Sequence, residues 1–231
     1  MFKQFYDQTS STLTYLLADV ELKQAVLIDP VTENINEYLT FIQQNNLSLA
    51  YSLETHVHAD HITGGGQLKK ITNAKTAVSE NCGAKTADIQ LKDGDVIVFG
   101  NQSIHVIATP GHTPGSLSFL WKDRLFTGDS LLINGCGRTD FQGGDAGQLF
   151  DAITIKLFNL PDETLVYPGH DYNGKRVSSI GQEKLTNSRL SKKSRESFIK
   201  LMNNLNLPKP KMIDIAVPAN RKCGVTEPQQ G

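Results

Sequence analysis

The sequence predicts a mixed α/β (α+β) domain, and three features carry that expectation. Short apolar runs closed by turn residues fill the first two thirds of the 231-residue chain, helical periodicity separates some of them, and a polar cluster follows directly on four of the runs. Strands are expected at 14–18, 25–29, 47–54, 95–99, 103–108, 116–121, 125–127 and 164–167. Between them, Ile35, Tyr38, Leu39 and Ile42 fall at i, i+3, i+4 and i+7, and a second periodic stretch covers 148–157, so amphipathic helices are expected to cover the sheet. Residues 191–207 read as a helix rich in Lys and Arg, most simply a solvated face, and the polar stretch after Val217 reads as irregular. No Gly/Ser/Pro-rich linker, repeat or low-complexity tract splits the chain, so 1–231 is expected to form one domain.

Composition narrows the partners. With 23 Lys and Arg against 24 Asp and Glu, a formal charge of −1 offers no general field for a polyanion, so neither nucleic acid nor a membrane surface is an expected partner. No run approaches the roughly 18 apolar residues of a membrane span, and the first residues carry polar groups every few positions, unlike a secretory leader. Three cysteines, Cys82, Cys136 and Cys223, are too few and too scattered for a disulfide framework, so a reducing compartment, the cytosol, is expected. None has a CxxC partner, and Cys136 between two glycines reads as a packed small residue.

The chemistry sits just past the strands, where loops held by a rigid sheet reach water. After 47–54 come His56, His58, Asp60 and His61. On extended backbone i, i+2 and i+4 share a face, so His56, His58 and Asp60 are expected to converge while His61 points elsewhere, and such a loop can serve two neighbouring metal positions. Imidazole with carboxylate suits zinc, iron or manganese rather than calcium. The bland alternative, solvated loop histidines, must account for three histidines and an aspartate in six residues. His112 lies between two Pro-Gly pairs that stiffen its turn, and Asp129 and His170 each follow a glycine that allows tight turning under a metal. His105, mid-strand in an alternating run, reads as a sheet-face histidine, and Gly64-Gly65-Gly66 as a tight helix entry.

His56-Val-His58-Ala-Asp60-His61, followed in order by His112, Asp129 and His170, resembles the metallo-β-lactamase superfamily over nearly the whole chain. The resemblance implies a four-layer αβ/βα sandwich, two mixed sheets face to face with helices outside and metal at one edge. Gly135-Cys-Gly-Arg-Thr-Asp-Phe-Gln142 and Gly169-His-Asp-Tyr-Asn-Gly174 resemble the persulfide (sulfur) dioxygenases of that superfamily, as do Asn187-Ser-Arg-Leu190 and Ala219-Asn-Arg-Lys-Cys-Gly-Val225. One departure is Ser188, where proline is expected; Arg189 is kept.

By this resemblance one Fe(2+) per chain is held by His56, His112 and Asp129, with His58, Asp60, His61 and His170 around them. Two histidines and one carboxylate on one face are also what non-haem iron needs to take substrate and oxygen together. The residues supply a two-metal set equally well. The implied reaction oxidises glutathione persulfide with O2 to sulfite and glutathione. Tyr172 would position substrate and, with His58 and Asp60, serve the chemistry. Arg138 and Arg189 would hold the two carboxylates of glutathione, unless Arg138 pairs with Asp140 instead. A homodimer is expected from the resemblance alone. The alternative is a glyoxalase II-like thioesterase with two zinc or iron ions sharing Asp129, and Thr139-Asp-Phe replaces the aromatic-rich continuation of that family. A third option, a binding module stapled by metal, would require a closed four-ligand site.

Overall fold

The computed structural model describes residues 1–225. Two six-stranded sheets form the centre. In the first, β1 (Phe2–Tyr6), β2 (Leu13–Asp19) and β3 (Gln24–Ile28) pair antiparallel, and β4 (Ser48–Leu53), β5 (Lys75–Ser79) and β6 (Ile89–Leu91) add in parallel. The second runs antiparallel through β7 (Val96–Phe99), β8 (Gln102–Ala108), β9 (Leu117–Trp121) and β10 (Arg124–Gly128). It continues with β11 (Leu165–Pro168), parallel to β10, and ends at β12 (Ser178–Ser179).

Strand alternation assigns side chains to layers. In β2, Leu13, Tyr15 and Leu17 face the second sheet, where they meet Phe99, Phe119 and Phe126, while Leu16 and Ala18 face outward onto helices. This explains why β2 is buried along its whole length. α1 (Ile35–Gln44) lays Ile35, Tyr38 and Ile42 on the first sheet, as its periodicity predicts, and α2 (Gly65–Thr72) adds Leu68. α3 (Ala146–Asp151), α4 (Ile180–Thr186) and α5 (Arg195–Asn203) cover the second sheet through Leu149, Ile180, Phe198 and Met202. The order helix, sheet, sheet, helix is the four-layer αβ/βα sandwich.

Several local expectations need correction. The helix expected over 148–157 starts at Ala146, capped by Asp145 accepting from Gln148 N at 2.8 Å, and widens into π-helical turns over Ala152–Lys156 before a 3-10 turn at Leu157–Asn159. Of 191–207 only Arg195–Asn203 is helical, and it is solvated on one side only, because Phe198 and Met202, one turn apart, enter the core. The stretch after Val217 is not irregular at its start: α6 (Ile213–Asn220) carries the helix through Pro218 to Asn220, while 226–231 lie outside the described residues. β1, β5, β6 and β12 were not legible, since they are short or built from Lys, Thr, Ser and Gln rather than from an apolar run. His105 is exposed on β8, as its place in the alternation predicts.

Candidate metal centre

The ends of β4, β8, β10 and β11 open toward one edge of the sandwich, and each is followed by a site residue: the 54–64 loop, His112, Asp129 and His170. Gly128 makes the turn at Asp129 possible. It sits at φ +50, and a Cβ there would collide with Thr55. Gly137 lies so close that a Cβ would stand 2.8 Å from His112 Nδ1, so the backbone packs directly on the imidazole.

The structure groups the ligand candidates differently from the expected alternation. The loop bends at Thr55–His56 and again at Ala59–His61, so the two-residue period fails. His56 turns to His112 and Asp129, whose ligand atoms lie within 4.8 Å of one another, while His58 gathers with Asp60 and His61. His61, expected to point elsewhere, therefore belongs to the second group. His56 and His58 remain neighbours, with ring centroids 4.1 Å apart.

Hydrogen bonds settle which nitrogens are free in the first group. His112 Nδ1 lies 2.7 Å from Arg138 O, and a carbonyl only accepts, so Nδ1 donates and Nε2 is the nitrogen turned to the site. Thr55 Oγ1 donates to Asp29 Oδ2 at 2.7 Å and so accepts from His56 Nδ1 at 3.0 Å, which again leaves Nε2 free. His112 Nε2 is 3.8 Å from Asp129 Oδ2. Burial, with His58 and His112 nearby, holds the His56 pKa well below its ordinary value, so the ring is neutral as ligation requires. Burial would raise the Asp129 pKa, but His170, His56 and His112 outweigh it and keep the carboxyl ionised. Two imidazoles whose Nε2 atoms make no hydrogen bond and one carboxylate oxygen fit a divalent transition metal.

In the second group Asp60 and the neighbouring His170 are bonded inward, while both ring nitrogens of His58 lack a hydrogen-bond partner. His170 places Nδ1 2.6 Å from Asp129 Oδ1 and Nε2 2.9 Å from Asp60 Oδ2. Burial works against its protonation, yet Asp129 and Asp60 hold its pKa well above the ordinary value. His61 Nδ1 also meets Asp60 Oδ2 at 2.9 Å, and His61 Nε2 is buried without a hydrogen-bond partner. Behind them His58 Nε2 lies 3.1 Å from Asp29 Oδ1 and 3.6 Å from Glu54 Oε2. Burial and Asp29 push Glu54 up to about 8. Against its own burial, Asp29, Asp60 and Glu54 push His58 up to about 9.

The arginines differ. Every nitrogen of the Arg138 guanidinium is committed: Nε and Nη2 form a fork on Asp140 at 2.7 Å each, Nη1 donates to Pro208 O at 2.6 Å, and Nη2 also reaches Leu207 O at 3.2 Å. Its fork makes the ion pair with Asp140 that the sequence offered as the other reading, and its carbonyl meets His112. Arg189 is half-buried and donates Nη1 to Cys136 O at 2.6 Å. Tyr172 is 67% exposed and stacks on His170 with the ring planes 1° apart. Cys136 is buried against Met202, and burial pushes its thiol up to about 11, which suits a packed residue and not a nucleophile.

Sequence reasoning missed the residues that hold the loop. Asp29 receives Thr55 N and Oγ1, both at 2.7 Å. Asn220, in the described end of the C-terminal segment, donates to His58 O at 2.9 Å and His61 O at 2.8 Å and accepts from Thr63 N at 2.9 Å. The only signal for Asn220 is its place in Ala219–Val225, a segment that resembles the persulfide dioxygenases. For Asp29 there was none.

Comparison with known proteins shows the family. Residues 8–170 match the metallo-beta-lactamase superfamily. The chain is 47% identical over 230 residues to the human mitochondrial persulfide dioxygenase ETHE1, covering 99% of this chain and 90% of that protein. It superposes with a TM-score of 0.96 on the crystal structure of ETHE1 from Myxococcus xanthus, at 54% identity over 97% of this chain and 100% of that one. A metallo-beta-lactamase from Staphylococcus aureus is similar at 29% identity and TM-score 0.89, over 98% of this chain and 73% of that one. Among the described residues no helix is long and apolar enough to cross a membrane. The chain belongs to the metallo-beta-lactamase superfamily and, within it, to the persulfide dioxygenase family.

Proposed function

We infer that the chain is a persulfide dioxygenase that oxidises glutathione persulfide with O2 and water to sulfite and glutathione, using one Fe(2+) held by His56, His112 and Asp129. The observation that carries this reading is the division of the site into an outward group and an inward one. His56 and His112 keep Nε2 free beside Asp129, whereas Asp60 and His170 are spent on each other. When bound, such an ion orients the persulfide sulfur and activates dioxygen beside it. The chain supplies the rest. Asp29 and Arg138 O fix the tautomers of the two ligand imidazoles, as supporting partners of metal ligands do. His170 fixes the orientation of Asp129 through Oδ1. Tyr172, open to solvent above His170, is placed to bear on the substrate, and Arg189 is the cation left to take a glutathione carboxylate.

The near-neutral charge supports a small-molecule partner over nucleic acid or a membrane surface, and three free thiols fit a reducing compartment such as the cytosol. A homodimer is the assembly this reading expects. The unpartnered His61 Nε2 favours one rival, a two-metal thioesterase of the glyoxalase II kind. Elemental analysis of anaerobically purified protein followed by an oxygen-electrode assay separates them. One iron per chain with oxygen uptake on adding glutathione persulfide supports the dioxygenase. Two metals and hydrolysis of S-lactoylglutathione without oxygen would replace it.

A further inference from the structure

Thr12 closes the turn between β1 and β2, far in sequence from the histidines it meets. It is fully buried, and its hydroxyl lies 3.1 Å from Asp60 Oδ2, 3.3 Å from His61 Nδ1 and 3.3 Å from His170 Nε2. Ser10 Oγ donates to it at 2.6 Å and is itself placed by the Ser10 backbone N–H, which donates to Asp7 Oδ2 at 2.7 Å. The backbone secures the turn independently, with Leu13 N donating to Gly169 O at 2.8 Å and Asp171 N to Ser11 O at 3.1 Å. The hydroxyl's place is therefore built by the main chain on both sides.

Asp60 Oδ2 faces Thr12 Oγ1, His61 Nδ1 and His170 Nε2 at once, the last two at 2.9 Å. Three donors converge on one carboxylate oxygen, and a ring nitrogen that donates a proton has no lone pair left for a metal. A second divalent cation shared by Asp60, His61 and His170 would take the unpartnered His61 Nε2 and would have to part His170 Nε2 from Asp60 Oδ2. Those two parted atoms are the ones that meet at the Thr12 hydroxyl. We propose that Thr12 is a positioning residue that keeps this group closed to a second metal and so limits the chain to one. The proposal rests on the single-metal reading above.

Thr12→Val removes the hydroxyl at nearly constant shape, and Thr12→Ser keeps it. The metal-stripped chain and both variants are titrated with Zn(II) alone, and bound metal is read by calorimetry and by elemental analysis after desalting. The unmodified chain and Thr12→Ser are expected to retain one equivalent. Thr12→Val should bind a second, with affinity for it tightened about 10–100-fold, the scale on which supporting partners tune metal sites. Ser10→Ala, which removes only the group holding the hydroxyl, should move the second affinity the same way by less, and it carries the test should Thr12→Val fail to fold. If the variants keep one equivalent with the second affinity unchanged, the lock is overturned and the single-metal reading stands. If the unmodified chain takes two equivalents equally tightly, both are overturned. Uptake of a second ion by Thr12→Ser would show that the hydroxyl is not the cause.

Discussion

The first sheet delivers four site side chains within the six residues His56 to His61, whereas the second delivers one from each of three strand ends, His112, Asp129 and His170. The two halves are stabilised differently as a result. The second sheet's residues leave their strands through tight turns and need few outside partners: the backbone at Arg138 and Gly137 suffices for His112. The first sheet's loop has no regular backbone of its own and is held by remote groups, Asp29 below it and Asn220 from α6 beside it. Dense ligands on one loop give up local rigidity, and tertiary contacts must restore it.

His112→Ala tests the rigid half and should have the largest effect. It removes a proposed ligand while leaving the sheet untouched, so metal retention after desalting and oxygen uptake should both be lost. The thermal midpoint of the metal-free chain should move little. Full turnover in this variant would refute the ligand assignment.

Asn220→Ala tests the propped half. It strands the carbonyls of His58 and His61 and the amide of Thr63, which should cost about 1–3 kcal/mol in urea unfolding. Metal affinity should weaken by about 10–100-fold. Lost stability with unchanged metal affinity would show that the loop holds its shape without α6.

Arg189→Ala probes substrate, not metal. Loss of one charge-assisted contact should raise KM by about 10–100-fold with kcat changed far less. An unchanged concentration dependence would remove Arg189 from the binding site.

The smallest effect is expected at Asp88, which ties α2, the helix following the metal loop, to the edge of the first sheet. Lys69, with Thr76 N and Oγ1 at 2.9 Å each, lowers its pKa from 3.8 to about 2. A depressed carboxyl stabilises the fold above its unfolded pKa and loses that contribution as pH falls through the folded one. The pair is largely exposed, so Asp88→Asn should cost less than about 1 kcal/mol at pH 7. The difference from the unmodified chain should fade between about pH 4 and pH 2. A deficit that persists at pH 2 would assign the effect to packing instead of charge.

Much of this was legible beforehand. Apolar runs located β2, β3, β4 and β7 to β11, because burial between layers demands Leu, Val, Ile and Phe wherever a strand crosses the core. β5 escaped because its Lys-Thr-Ala-Val-Ser sequence carries little apolar signal, although all but Lys75 are buried. The first residues of α6 and its run through Pro218 escaped because mid-helix proline reads as a stop.

Local sequence dictates which chemical groups stand at the ends of which strands. A histidine or aspartate directly after an apolar run is carried to the sheet edge whatever the rest of the chain does. The tertiary structure decided how those groups are shared out: that His56 leaves its loop neighbours for His112 and Asp129, that His61 joins Asp60, that Arg138 spends its fork on Asp140, and that Thr12 and Asn220 belong to the site at all. The physical reason is range. Periodicity describes residues a few positions apart on regular backbone, while in a bent loop the direction of a side chain is set by hydrogen bonds to partners as many as 162 positions away.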